Sequence, residues 1–210
     1  IVAMKGLGGF HLCVDAANDA AVRRLRRQKC REEKPFAIMV RDVARAEAFA
    51  ELDEADRLLL ESFERPIVLV RKRSKSPLSG ALAPGMATLG IMLPYTPLQH
   101  LLLQEDFHAL VMTSANRTDE PICIGNREAI ARLNGIADLF LTHNRDILVR
   151  CDDSVAMTLD GEPYLLRRAR GYVPRPLILA RQLPPVLALG AHQKVTVCIL
   201  KQDRAFLSQH

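Results

Sequence analysis

Tryptophan is absent from this chain of 210 residues and aromatic side chains make up only 5% of it, so base-stacking platforms for nucleic acid are scarce. No apolar run approaches the ~18 residues that span a bilayer. The opening Ile1-Val2-Ala3-Met4-Lys5 has no basic segment leading into a long apolar one, and no secretion signal is expected. It also lacks an initiator methionine, and the chain ends at Gln209-His210 on an apparent strand; an excised piece of a longer chain is expected. The five cysteines, Cys13, Cys30, Cys123, Cys151 and Cys198, form no C-x-x-C pair. That argues against a zinc site and a disulfide framework, and it fits a reducing cytoplasm. A Walker A loop is missing too. Lys5-Gly6-Leu7-Gly8-Gly9 has no Gly-Lys-Ser/Thr, and a strand follows it instead of the helix that a dinucleotide fingerprint opens.

What is present is globular: 49% hydrophobic and 25% charged residues can fill one domain with a core and part of a second. The net charge of +5, from 29 Lys+Arg against 24 Asp+Glu, is concentrated rather than spread. Arg23, Arg24, Arg26, Arg27, Lys29, Arg31 and Lys34 crowd one stretch, which favours an anionic partner, nucleotide or nucleic acid.

Short β-branched runs alternate with helical patterns, the signature of an α/β sheet flanked by helices. Strands are predicted at 1–4, 10–14, 36–40, 67–71, 89–93, 109–113, 138–142, 154–159 and 163–168, and helices at 19–28, 43–50, 54–63, 97–104 and 127–133. In the first helix Ala21, Val22 and Leu25 form the inward stripe, while Arg23, Arg24, Arg26 and Arg27 face out or sideways as a wet face. Asn18 or Asp19 can cap its start, and Asn126 the start of the last helix. Residues 1–175 are expected to form one domain. Pro174, Pro176, Pro184 and Pro185 make 176–185 read as a linker, and 186–210 as three strands of a second sheet, at 186–189, 195–200 and 205–207.

Four groups of residues can carry chemistry. In Lys29-Cys30-Arg31-Glu32-Glu33-Lys34-Pro35 the helix gives way to a loop, and Pro35 pushes Lys34 out of the α region. Three long cations there can converge on phosphate oxygens, or simply end a solvated basic helix. Thr113-Ser114-Ala115-Asn116 follows an apolar strand, where ligands of α/β sheets bind, although a local side-chain turn uses the same letters. Asp152-Asp153 can contact Mg2+, but neighbours on a strand point to opposite faces, so both are not expected to line one site. Arg167, Arg168 and Arg170 are equally readable as phosphate contacts and as a solvated face.

Taken in order, Lys5-Gly6-Leu7-Gly8-Gly9, Lys29-x-Arg31-x-x-Lys34-Pro35, Ser114-Ala115-Asn116, Asp153-Ser154 and Leu166-Arg167 resemble the YrdC family over residues 1 to 175. Within it, KGLGGFHL, LPYTPL, HNRDILVRCDDSV and LLRRARGYVPRP are similar to the HypF carbamoyltransferases of nickel-iron hydrogenase maturation. The tail, LALGAHQKVTVCIL, is similar to the opening of the next HypF domain, an ATPase-like fold related to the tRNA-threonylcarbamoyl transferases. The acylphosphatase and zinc-finger regions that precede it in that family are not in the chain. The resemblance implies a YrdC-like twisted mixed sheet, then the start of that ATPase-like domain. It implies that carbamate from carbamoyl phosphate is joined to ATP as carbamoyl adenylate, with pyrophosphate released. The carbamoyl group then passes to HypE, through other domains in cis.

By the same resemblance Lys29, Arg31 and Lys34 neutralise the pyrophosphate, and Ser114, Asn116, Ser154 and Arg167 grip the nucleotide. Lys5 stands near the carbamoyl group, Thr113, His143 and Arg145 contact the small substrate, and Asp153 holds Mg2+. One departure stands out. Short members carry Arg-x-Pro where this chain has Met92-Leu93-Pro94-Tyr95, so an arginine is missing and a smaller substrate than threonine is implied. The rival readings are a threonylcarbamoyl adenylate synthase for tRNA modification and a double-stranded RNA-binding module using the basic run.

Overall fold

A computed structural model describes residues 1–104, 107–117, 120–190 and 195–209. The expected strand end at His210 and the tail stretch 191–194 lie outside them.

Among the described residues the first sheet is built from β1 (Val2–Lys5), β2 (Phe10–Asp15), β3 (Ala37–Met39), β4 (Ala50–Glu51), β5 (Ile67–Lys72), β6 (Thr88–Met92), β7 (Leu110–Ser114), β8 (Leu139–Leu141), β9 (Val155–Leu159) and β10 (Glu162–Arg167). Its order is β10-β9-β5-β6-β3-β7-β2-β1-β8, with β4 paired to β5, in mixed parallel and antiparallel register. Around it lie α1 (Asp19–Gln28), α2 (Val43–Glu47), α3 (Glu54–Glu61), α4 (Pro97–Leu102) and α5 (Asn126–Leu133). The nine predicted strands of this sheet and the five helices all form; only the two-residue β4 escaped the sequence pattern.

Alternation along the central strands sends side chains to two cores. Ala3, Leu12, Ile38, Ile91 and Val111 enter the larger cluster with Val22 and Leu25 of α1. Met4, Cys13, Met39, Met92, Leu110 and Met112, their immediate neighbours in sequence, build a second cluster. Both faces are covered, so these strands read as continuous apolar runs. The α1 stripe is as predicted, and the Asn18 Oδ1 accepts from the Ala21 backbone N–H at 3.0 Å, capping the helix.

Two expectations are corrected. Asn126 does not cap α5 but is its first residue. The cap position is Gly125, and the Glu128 carboxylate reaches back to the backbone N–H groups of Ile124 and Gly125 at 3.0 and 3.1 Å. The proline-rich stretch 176–185 is not an irregular linker either, and the described residues of the tail hold two strands rather than three. β11 (Leu177–Leu189) runs through the prolines and pairs antiparallel with β12 (Val197–Leu207) as a two-stranded ribbon. Pro184 and Pro185 are tolerated because register shifts flank Leu183, leaving the prolines unpaired where a ladder N–H would be required.

Ile38, fully buried on β3 between β6 and β7, tests the sheet centre. Ile38→Ala is expected to cost about 2–5 kcal/mol. Urea unfolding checks this; a loss well under 1 kcal/mol would mean that the strand is not central.

Candidate functional site

The sheet register collects three chain segments at one end. β2 runs antiparallel to both β1 and β7, so the turn after β1 and the loop after β7 leave the same edge, and β3, antiparallel to β7, starts there. The loop 29–35, which precedes β3, is therefore delivered beside Ser114.

Lys29, the C-cap of α1, ties these segments together. Its ammonium donates to the backbone oxygens of Ser114 at 2.6 Å and Asn116 at 2.9 Å, and to Asn116 Oδ1 at 3.2 Å. Burial pushes Lys29 down to about 7, and the charges of Arg31 and Lys34 add to that. Arg31 donates to Thr113 Oγ1 at 2.9 Å and to the backbone oxygens of Lys34 and Pro35. Burial, then Arg26 and Arg167, lower its guanidinium to about 10. Lys34 is exposed at the tip of the loop. Ser114 Oγ lies 2.8 Å from Asn116 Oδ1, completing a knot of lysine, arginine, hydroxyls and amide. Thr113, expected against the substrate, is here the anchor of Arg31.

Arg26 was placed on the wet face of α1, and that is corrected. Its guanidinium turns back over the Phe36 ring, 4.8 Å away, with Arg31 at 4.7 Å from the same ring. It donates to the carbonyls of Arg31, Glu32 and Lys34 in the loop, and to those of Ala81 and Leu82. Five backbone carbonyls thus rest on one planar donor, which suits arginine and no other side chain. Arg23 and Arg24, by contrast, do face outward, paired with Asp19 and Asp138.

Beside the knot lies a small solvent-open cleft, lined by Gly8, Gly9, His11, Tyr95, Ser114 and Asp153 among others. A Cβ on Gly8 would stand 2.2 Å from the Cys151 oxygen, and one on Gly9 2.2 Å from Ile122 Cγ2, so these two positions need glycine for close approach. Cys151, Asp152 and Asp153 all line the cleft. The expectation that neighbouring aspartates cannot share it fails because this segment precedes β9 and is not a strand.

Asp153 is the charged centre of the floor. Its oxygens take His11 Nε2 at 3.0 Å, Arg170 Nε at 2.8 Å and the Tyr95 hydroxyl at 3.3 Å. Burial alone would raise this carboxyl, but His11 and Arg170 outweigh it and hold Asp153 well below the usual range. Arg170 also lies 3.5 Å over the Tyr95 ring. Next to the position where the resemblance leaves an arginine missing, a guanidinium thus arrives from the far end of the chain. With both oxygens engaged, Asp153 does not fit the magnesium role without breaking its ion pairs, and among the described residues no group of three acidic, His or Cys side chains could hold a metal.

The other candidates fall at varied distances from the knot. Ser154 is fully buried, its hydroxyl donating to the Arg170 oxygen and accepting from the Ala169 N–H, so it fixes the strap below the cleft. Arg167 donates a long 3.5 Å hydrogen bond to the Asp153 backbone carbonyl. Lys5, nearly buried, donates to the His143 carbonyl at 3.2 Å, where Asn126 also donates. Arg145 is exposed. Sequence reasoning missed His11, Tyr95, Arg26 and the structural part of Arg170. For His11 the only signal was its place in β2, directly opposite Ser114 in register.

The chain and its fold are matched by known proteins. The family model for Sua5, YciO and YrdC, described as "Telomere recombination", matches residues 1–169, and the chain belongs to that family. A second model, the HypF Kae1-like domain, matches residues 181–210. Over its whole length the chain is 53% identical to carbamoyltransferase HypF2 of Cupriavidus necator and 39% identical to the probable carbamoyltransferase HypF of Methanocaldococcus jannaschii. It spans 28% and 27% of those relatives. A full-length HypF in its phosphate- and nucleotide-bound form superposes with a TM-score of 0.94 at 47% identity, covering 100% of this chain and 33% of that one. Pyrococcus abyssi Sua5 complexed with L-threonine gives 0.72 at 19% identity, over 84% of this chain and 51% of that one, a likeness of fold alone.

Arg26→Ala should cost roughly 1.5–3 kcal/mol, the range for hydrogen bonds to a charged group, and speed hydrogen exchange at the amides of 31–34. Arg27→Ala, on an exposed position, should stay within about 0.5 kcal/mol. Equal effects of the two on exchange would contradict the positioning given to Arg26.

Proposed function

We propose that the chain is the adenylate-forming part of a carbamoyltransferase: it joins carbamate to ATP, giving carbamoyl adenylate and pyrophosphate. The observation that carries this reading is the Lys29 tie, which brings the 29–34 loop and Ser114-Ala115-Asn116 to one mouth of the cleft. The likeness to a nucleotide-bound HypF supports it. A carbamate oxygen attacks the α-phosphorus, so the small acid is itself the nucleophile and no side-chain nucleophile is needed. The chain's own task is to position and to neutralise charge on the leaving pyrophosphate, through Lys34, Arg31 and Lys29. Ser114 and Asn116 grip the nucleotide, Arg167 flanks it, and Lys5, His143 and Arg145 border the small substrate. Ser154 supports the strap instead of touching ligand. ATP would bring Mg2+ on its phosphate oxygens, with Asp153 kept for its ion pairs.

In the longer relatives' setting, carbamoyl phosphate supplies the carbamate, and the following domain passes the carbamoyl group to HypE for cyanide-ligand synthesis. A cytoplasmic setting belongs to the same reading. Among the described residues no helix is long and apolar enough to cross a membrane. The RNA-binding alternative loses support because Arg23, Arg24 and Arg26 of the basic run are engaged within the chain.

Calorimetric titration with ATP and Mg2+ tests the assignment. Lys34→Ala and Ser114→Ala should each weaken binding about tenfold, as expected for one charged hydrogen bond lost. Lys29, near half-protonated at pH 7, should become fully charged beside bound phosphate, so binding takes up protons and its heat depends on the buffer. Unchanged affinity in both variants would sink the nucleotide site.

A further inference from the structure

Residues 170–180 lie between the part of the chain that the first family model matches and the part that the second matches. A proline-rich junction between two such parts is ordinarily free to flex. Here it is bolted down by the arginines of the stretch that begins at Arg168.

Arg170 is the deepest bolt. Its Nε donates to Asp153 Oδ1 at 2.8 Å, and its Nη1 and Nη2 donate to the backbone carbonyls of Glu64 and Arg65 at 3.1 and 2.8 Å. Its plane lies over the Tyr95 ring. One fork thus joins the cleft floor, the turn after α3 and the segment before α4. The backbone is engaged as well: the Arg170 N–H donates to the Asp152 carbonyl at 3.0 Å, and its own carbonyl accepts from the Ser154 hydroxyl at 2.8 Å. The side chains of the Arg170–Asp153 pair are only 11% and 12% exposed, and such a pair resists opening because either partner alone would be an uncompensated buried charge.

The next five residues repeat the pattern. Gly171, at φ +89°, passes so close to the turn after α3 that a Cβ would stand 2.5 Å from the Glu64 carbonyl oxygen. Arg168 Nη2 donates to the carbonyls of Tyr172 and Arg175 at 3.0 and 2.7 Å, closing the turn on itself. Arg175 pairs with the Glu64 carboxylate, donates to the Gly171 carbonyl at 2.8 Å and lies over the Phe63 ring. β11 begins two residues later, at Leu177. β11 and β12 pack chiefly on each other, and among the described residues their ladder joins no strand of the first sheet. The direction in which the ribbon leaves is therefore set mainly by this strap.

We propose that residues 168–175 form a rigid mount, in which Arg170 and Arg175 are positioning residues that fix the ribbon to the floor of the cleft. Its chemical use rests on the adenylate-forming reading. A mixed anhydride such as carbamoyl adenylate is open to attack by water, so its passage to a following unit needs an acceptor held at a fixed distance and direction. A mount whose first bolt is the Asp153 carboxylate gives the site and the unit beyond residue 180 one common reference.

Backbone amide relaxation, measured by NMR on the whole chain, reads the mount. The β11 and β12 amides should tumble with the correlation time of the first sheet, as parts of one rigid body. In Arg175→Ala, whose guanidinium is exposed and lines no part of the cleft, they should tumble faster. Hydrogen exchange at the Tyr172 and Val173 amides, which bond to the Ala169 carbonyl, should speed about tenfold, the size of one charged hydrogen bond lost. Arg170→Lys keeps a charge beside Asp153 but has no fork to reach Glu64 and Arg65 as well, and should loosen the ribbon likewise. Arg181→Ala, exposed on the ribbon itself, is the control and should change neither readout. A ribbon that tumbles by itself in the unmodified chain, or that keeps the common correlation time in both Arg175→Ala and Arg170→Lys, would overturn the proposal. Amide shifts of residues 29–34 on adding ATP and Mg2+ report the nucleotide site separately, and Arg175→Ala should leave them as they are. If they never appear while the ribbon behaves as described, the adenylate reading fails and the mount stands.

Discussion

The Lys29 ammonium sits at 7% exposure with its hydrogens on the carbonyls of Ser114 and Asn116, and Arg31 adds one further bond between the two segments, to Thr113 Oγ1 at 2.9 Å. Loops on the same sheet edge are close by topology, but closeness leaves their separation free by ångströms; a charged donor on three oxygens removes that freedom. The arrangement carries a cost. A cation withdrawn from water beside Arg31 and exposed Lys34 is disfavoured, and its shift down to about 7 reports that. Because the folded value lies below the ordinary 10.5, the penalty is complete below pH 7 and relaxes as pH rises toward 10.5, where the unfolded chain loses its proton as well. A bound polyphosphate would offset the same penalty by supplying anionic charge.

Around that tie the site divides by chemistry. One part is cationic and exposed, built from the 29–34 loop on the Arg26 guanidinium. The other is a small polar floor in which Asp153 is saturated by His11, Arg170 and Tyr95. Each part leans on a half-buried arginine that bonds mainly to backbone or carboxylate, so rigidity is supplied by groups that need not touch a ligand.

Much of this could be read from residues in order. Short β-branched and apolar runs such as 10–14 and 36–40 placed the strands, and the Asn18 cap and α1 stripe placed the first helix. Resemblance to the YrdC family pointed to one site for the 29–34 loop and Ser114. What stayed hidden depends on side-chain direction at long range. Arg26 and Arg24 lie two residues apart on one helix, yet one caps a loop and the other pairs with Asp138, a distinction set by where the chain around residues 31–34 and 138 happens to pass. Arg170 and Tyr95 meet only after the sheet has formed. Pro184 and Pro185 misled because proline excludes a ladder donor but not a bulged strand of a ribbon.

The most direct measurement is a crystal structure of the chain with ATP, Mg2+ and carbamoyl phosphate. The account predicts the triphosphate against Lys34 and the 29–34 loop, with Ser114 and Asn116 at the nucleotide. A nucleotide bound elsewhere, with this mouth empty, would contradict it.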